Sequence, residues 1–212
     1  ILPELLKEET IPADNPNKLA VILPDEHLLQ PVLNSLPAHF EGINVTMGYP
    51  VAVTPAYSLL LSLIQLQQNA KEGEHTSFYH KDVLALLNHQ YIGMIRDEKT
   101  EELMVHIKQH NKVYVREDEL RVNHFMRNLF VIQNTYQSMS DYLMDNYFQF
   151  YRILKEQSGE DKSVQLELEC IYHVYLTIKQ LKEVFEDQGI EVKTETYRRI
   201  LERVIQHQTI PY

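Results

Sequence analysis

Between Lys18 and Gln68 two short apolar runs, Leu19-Ala-Val-Ile-Leu23 and Ile43-Asn-Val-Thr-Met47, are each followed by a segment with helical spacing. A helix of about ten residues between two strands commits them to parallel pairing, because a parallel crossover needs that much chain. The run is therefore expected to form strand, helix, strand, helix, and such a pair needs more strands to cover it. In the first helix Asp25 is placed to accept backbone N–H bonds, Glu26 adds charge at the positive end, and Pro31 should kink or restart the helix. The second helix starts more clearly: Thr54 is a good N-cap, Pro55 falls where a missing N–H costs nothing, and Leu59, Leu60, Leu63, Ile64 and Leu66 make a broad apolar face.

Beyond the loop Lys71-Glu-Gly-Glu74 the pattern turns almost wholly helical. Helices are expected from Asp82 to His89, with Val83, Leu84, Leu86 and Leu87 inward, and from Thr100 to Gln109. Further helical stretches are expected near 123–133, 139–157, 163–187 and 195–207, with Lys112-Val-Tyr-Val115 as an added edge strand. Gly189 suits the left-handed position that ends a helix, and Thr194 suits the cap of the next. The fold class is thus mainly α with a small α/β portion, divided into residues 1–70 and a helical part over 71–212. Residues 1–17, with Pro3, Pro12 and Pro16, look like a linker, and the start at Ile1 suggests an internal segment of a longer protein.

The 212 residues carry 30 acidic and 20 basic side chains, a formal charge of -10, with no Lys/Arg block. That balance disfavours tight autonomous DNA binding. The excess is uneven: residues 1–50 hold Lys7 and Lys18 against seven carboxylates, whereas residues 151–212 hold nine basic and eleven acidic groups, so a basic face near the C-terminus remains open. One cysteine, Cys170, excludes an intrachain disulfide framework and any multi-cysteine metal site, which fits a reducing cytoplasmic setting. No apolar run reaches the roughly 18 residues of a membrane helix, so no membrane partner is expected.

Several side-chain patterns suggest chemistry, and each has a plainer explanation. Pro24-Asp25-Glu26-His27 is similar to the Pro-Asp half of a PD-(D/E)XK nuclease site, but the only acidic-x-Lys triplet in a strand-like context, Glu191-Val192-Lys193, lies far down the chain; helix capping suits Asp25 better. His106 and His110 share a helix face at zinc-ligand spacing, without a third ligand. Tyr142, Tyr147, Phe148, Phe150 and Tyr151 could stack single-stranded bases with Arg152 and Lys155 alongside, yet core packing is favoured. Arg198, Arg199 and Arg203 on one helix could meet phosphates, although Glu195 and Glu202 point to ordinary surface pairing. Cys170 with His173 is best read as a buried thiol. The chain has no phosphate loop, dinucleotide fingerprint or nucleophile elbow, and no cofactor, metal or small-molecule ligand is expected of it.

The stretch Ile43 to Gln67 resembles part of the second motor domain of superfamily 1 helicases of the UvrD and RecB type. Leu19–Leu23 looks like that domain's first strand, Met47-Gly48-Tyr49-Pro50 like its Gly-containing turn, and Tyr57–Leu66 like the helix that follows. Where active motors tend to place an Arg after the first strand, this chain has Pro24-Asp25, as in the inactivated AddB/RexB-type subunits of bacterial helicase-nucleases; Phe78–His89 resembles the start of their helical insertion, subdomain 2B. The resemblance implies a 2A-like region over 1–70 and a 2B-like insertion over 71–212, with a metal-dependent nuclease domain elsewhere in the parent protein. It further implies a role in processing DNA ends for recombinational repair, beside an active helicase-nuclease partner subunit. This segment would hold no ATPase or nuclease residue and would serve as scaffold, with Arg152, Lys155, Arg198, Arg199 and Arg203 as candidate DNA contacts. The alternatives are a stand-alone helical protein-interaction module and, last, an independent small enzyme.

Overall fold

The computed structural model describes residues 21–25, 28–36, 48–110, 112–158 and 164–210. They fall into a smaller unit, Ile1–Pro50 with Thr209–Tyr212, and a larger one, Val51–Gln208.

In the smaller unit, helix α1 (Leu29–Ser35) and strand β1 (Tyr49–Pro50) precede the larger unit in sequence. The N-cap position of helix α1 is held by Leu28, which donates its N–H to the Asp25 carbonyl at 3.1 Å. Pro31 is the third helical residue, inside the first turn, where amides have no intrahelical acceptor to lose.

The larger unit is built around α2 (Pro55–Gln68). Thr54 caps it by accepting the Tyr57 N–H at 3.2 Å, and Pro55 opens the first turn. Leu59, Leu60, Leu63, Ile64 and Leu66 are all buried on this helix, so the apolar face read from the sequence is a core face. Strand β2 (Ser77–Tyr79) leads into α3 (His80–Leu87), α4 (Gln90–Gly93) and α5 (Glu98–Gln109). Strand β3 (Tyr114–Arg116) pairs antiparallel with β2, Phe78 opposite Val115, before the short helices α6 (Glu117–Leu120) and α7 (His124–Leu129). Lys71 Nζ lies 4.0 Å over the Tyr114 ring, and the buried Phe78 meets Phe130 edge-on at 5.6 Å.

Two long helices follow, α8 (Tyr136–Ser158) and α9 (Gln165–Asp187). Tyr136 meets Phe185, Asp141 meets Lys182 and Tyr151 meets Tyr172, so the pair runs antiparallel. Helix α10 (Thr194–Gln206) packs against both and against α2. Its Tyr197 sits among Tyr136 and Phe185 at ring distances of 5.7 and 5.8 Å and shares a 2.6 Å hydrogen bond with Ser140. Gly189 takes φ +59° between α9 and α10, the left-handed turn expected of it.

Strand β4 (Thr209–Ile210) then belongs to the smaller unit again, pairing antiparallel with β1 as Tyr49 to Ile210 and Pro50 to Thr209. The backbones close so tightly that a Cβ on Gly48 would stand 2.4 Å from Thr209 Cβ. Only glycine fits there.

The mainly helical class with a small strand portion holds, and some local expectations need correction. Residues 21–23 form no strand, and Ile22 is 89 % exposed; residues 19–20 and the second expected strand, 43–47, lie outside the described residues. Both strand pairs among the described residues are antiparallel. An apolar run becomes a strand only where a ladder partner lies beside it, and residues 21–23 have none among the described residues. The helix expected to reach residue 133 stops at Leu129, because buried Gln67 takes the next segment: its amide donates to the Val131 carbonyl at 2.8 Å and accepts the Gln133 N–H at 3.0 Å. Thr194 is not the cap of α10; Lys193 holds that position, while Thr194 Oγ1 donates to the Asn134 carbonyl at 2.7 Å.

Tyr147, fully buried, donates to the Ala56 carbonyl at 2.6 Å and fixes α8 against the first turn of α2. Tyr147→Phe leaves that carbonyl without its donor, so a loss of about 1 kcal/mol is expected. Chemical denaturation checks it, with an unchanged m-value expected.

Candidate functional site

The aromatic run on α8 divides by helical spacing. Tyr142, Tyr147 and Phe150 are buried, as core packing requires, whereas Phe148 is 53 % exposed and Tyr151 half-buried. Phe148, Tyr151, Arg152 and Lys155 stand at i, i+3, i+4 and i+7, a spacing that lines them up on one helix face. From α9, Tyr172, 49 % exposed, meets Tyr151 at 6.1 Å and stacks on Tyr175 at 6.4 Å with rings 12° apart. The outer side of the α8–α9 pair thus carries four aromatic rings beside two cations.

Of the two cations, Arg152 has a weak local partner. Lys155 Nζ lies 5.6 Å from the Tyr151 ring centre, and Arg152 is 3.7 Å from Glu156 with both side chains largely exposed. An exposed i,i+4 pair contributes about 0.3–0.5 kcal/mol, so Arg152 can change partners at little cost. The three α10 arginines do not form one cationic face. Arg199 and Arg203 are exposed, but Arg198 is buried at 7 % exposure with no partner for Nε, and burial pulls its guanidinium below its usual pKa.

An arrangement absent from any local pattern is Ser58 with His89, 2.8 Å from Oγ to Nε2. It looks like a nucleophile and its base, yet the tautomer forbids that. His89 caps α4, with Nδ1 accepting the Tyr91 N–H at 3.3 Å, so the neutral ring carries its proton on Nε2. That nitrogen faces Ser58 Oγ and the Pro55 carbonyl, 3.2 Å away, as a donor, and no lone pair is left to take the serine proton. His89 is a staple between α2 and α4. These residues are 31 positions apart and carried no motif that could have announced them.

The remaining candidates are also structural. His106 and His110 stack at 4.0 Å; Nδ1 of His110 lies 2.9 Å from the His106 carbonyl, and His106 Nε2 is 3.9 Å from Glu119. Among the described residues no group of three metal-ligating side chains gathers. Burial, with Glu167 and Glu169 adding to it, pushes the Cys170 thiol up to about 12, so it is no nucleophile at neutral pH. No described helix is long and apolar enough to cross a membrane. Compared with known protein families, curated proteins and solved structures, the chain matches none.

His89 supplies the pH test. Burial is the main cause of its lowered pKa, opposed by the Pro55 carbonyl. The unfolded chain therefore takes up the proton first, and the contribution of His89 is complete above its ordinary value of 6.5 and fades as pH falls from there toward the folded value. His89→Asn keeps an N-cap acceptor and removes the titration. Melting temperatures between pH 7.5 and 5 should fall less steeply for His89→Asn than for the parent, and parallel slopes would assign the acid sensitivity elsewhere.

Proposed function

We propose that this chain is a non-catalytic, helicase-like segment of a DNA-end-processing helicase-nuclease subunit, and that the outer face of α8–α9 receives unpaired strand. The carrying observation is the alignment of Phe148, Tyr151, Arg152 and Lys155 beside Tyr172 and Tyr175, since exposed rings flanked by cations suit base stacking. The resemblance carried by Leu19–Leu23, Ile43–Gln67 and Phe78–His89 supports a place for that face in a larger DNA-handling protein, although residues 21–23 form no strand. Its 2A-like part ends near residue 70 and its 2B-like part follows, with α2 sharing a core with α3, α9 and α10 across that point.

The chemistry visible at the polar clusters fits a scaffold: His89 holds the wrong tautomer for a base, and Cys170 stays protonated. Turnover of ATP, or of linear DNA with magnesium, by this chain would overturn the reading. With two cations on the face, binding is weak. The slope of log K against log salt should be about -1.4, at roughly 0.7 per phosphate neutralised on single strands.

Fluorescence anisotropy with a labelled single-stranded oligonucleotide tests the face. The double variant Phe148→Ala/Tyr172→Ala should weaken binding about tenfold or more, as each stacked base contributes about 1–3 kcal/mol. Unchanged affinity removes the strand-binding role. A second reading, a helical protein-interaction module or partner-subunit contact, draws on the same exposed Phe148 and Tyr172. A partner protein that competes with the oligonucleotide for this face favours it.

A further inference from the structure

Tyr172 and Tyr175 of α9 stand at i and i+3, neighbours on the helix surface, and their rings lie 12° from parallel with centres 6.4 Å apart. Rings in direct face contact are separated by about 3.4 Å, the rise between stacked bases of one strand. A centre distance nearly twice that gives the two faces little cover from each other, and a base stacked on both needs about 6.8 Å by the same rise. Tyr172 is 49 % exposed, so the opening is reached from solvent, whereas Tyr175 is half-buried and has less freedom to lose on binding. The third ring in this place makes no parallel pair: Tyr151 of α8 is 6.1 Å from Tyr172 but tilted by 47°. It brings the cations alongside instead, because Arg152 and Lys155 follow it on α8 and Lys155 Nζ lies 5.6 Å from the centre of its ring.

We infer that Tyr172 and Tyr175 form a slot that takes one base of an unpaired strand between their rings, with Arg152 and Lys155 beside it for the neighbouring phosphate. The inference rests on the proposed strand-binding role of α8–α9 and goes beyond it, by separating a slot that covers both faces of a base from rings that cover one. Its occupant must be flat, with two bare apolar faces, and must carry negative charge at its edge. An unpaired nucleotide has both properties, whereas a base inside a duplex has its faces already covered by its neighbours. Stacking uses the ring and not the phenol, so phenylalanine serves equally well at either position.

Photocrosslinking of the full chain to a single-stranded oligonucleotide that carries iodouracil, with the joined peptide mapped by mass spectrometry, tests the slot. Irradiation joins this base to an aromatic ring stacked on it, so the adduct is expected at Tyr172 or Tyr175. Fluorescence anisotropy reads the energetic side: Tyr175→Leu should weaken binding about tenfold through the loss of one stacking face, while Tyr175→Phe binds like the parent. An adduct confined to Phe148 or Tyr151, or Tyr175→Leu binding as tightly as the parent, overturns the slot and leaves the strand-binding face standing. A parent chain that binds no oligonucleotide overturns both. Should Tyr175→Leu fail to fold, the position of the adduct in the parent decides, and a parent that binds the oligonucleotide without forming any adduct counts against the slot.

Discussion

Burial of the apolar face of Pro55–Gln68 is the constraint on which the larger unit depends. Leu59, Leu60, Leu63 and Leu66 are wholly enclosed, and α3, α9 and α10 pack onto this helix. Hydrophobic burial has no direction of its own, so polar groups at the two ends of the helix set the orientation of its neighbours. At the start, the Ala56 carbonyl accepts from Tyr147 and the Pro55 carbonyl faces His89. At the end, Gln67 grips the backbone of Val131 and Gln133. Each of these side chains satisfies a backbone group that the core would otherwise leave dry and unpaired.

This use of polar groups also separates structural from functional residues. Ser140, Tyr142, Tyr147 and His89 have their hydrogen-bonding capacity committed inside the fold. What remains uncommitted is at the surface of α8–α9, where the rings are exposed and Arg152 has only an exposed partner. Binding is the chemistry open to such groups.

Features set by neighbours along the chain were legible in the sequence. Thr54 and Pro55 mark a helix start by side-chain chemistry alone, Gly189 marks a stop because it tolerates φ +59°, and the spacing of Leu59 to Leu66 fixes which face goes inward. Features set by distant partners were hidden. The Ser58–His89 contact, the Gln67 clamp and the β1–β4 pair join residues with no shared periodicity. Arg198 misled for a related reason: a cation among glutamates on an amphipathic helix suggests a wetted face, yet the fold leaves it only 7 % exposed. The aromatic run could be seen, but which of its rings would face outward depended on where α9 lay.

The pairing of Pro50 with Thr209, made possible by the missing side chain of Gly48, has a topological meaning. To the smaller unit, everything between those two residues is a connection of almost no span. The larger unit likewise starts and finishes at one point, where the Val51 N–H donates to the Gln208 carbonyl at 2.9 Å. A piece whose two ends meet can be lost, exchanged or enlarged without moving the chain on either side of it. Evolution and protein engineering therefore have the same handle here: a helical cassette that can be lifted out at a single rung of the ladder.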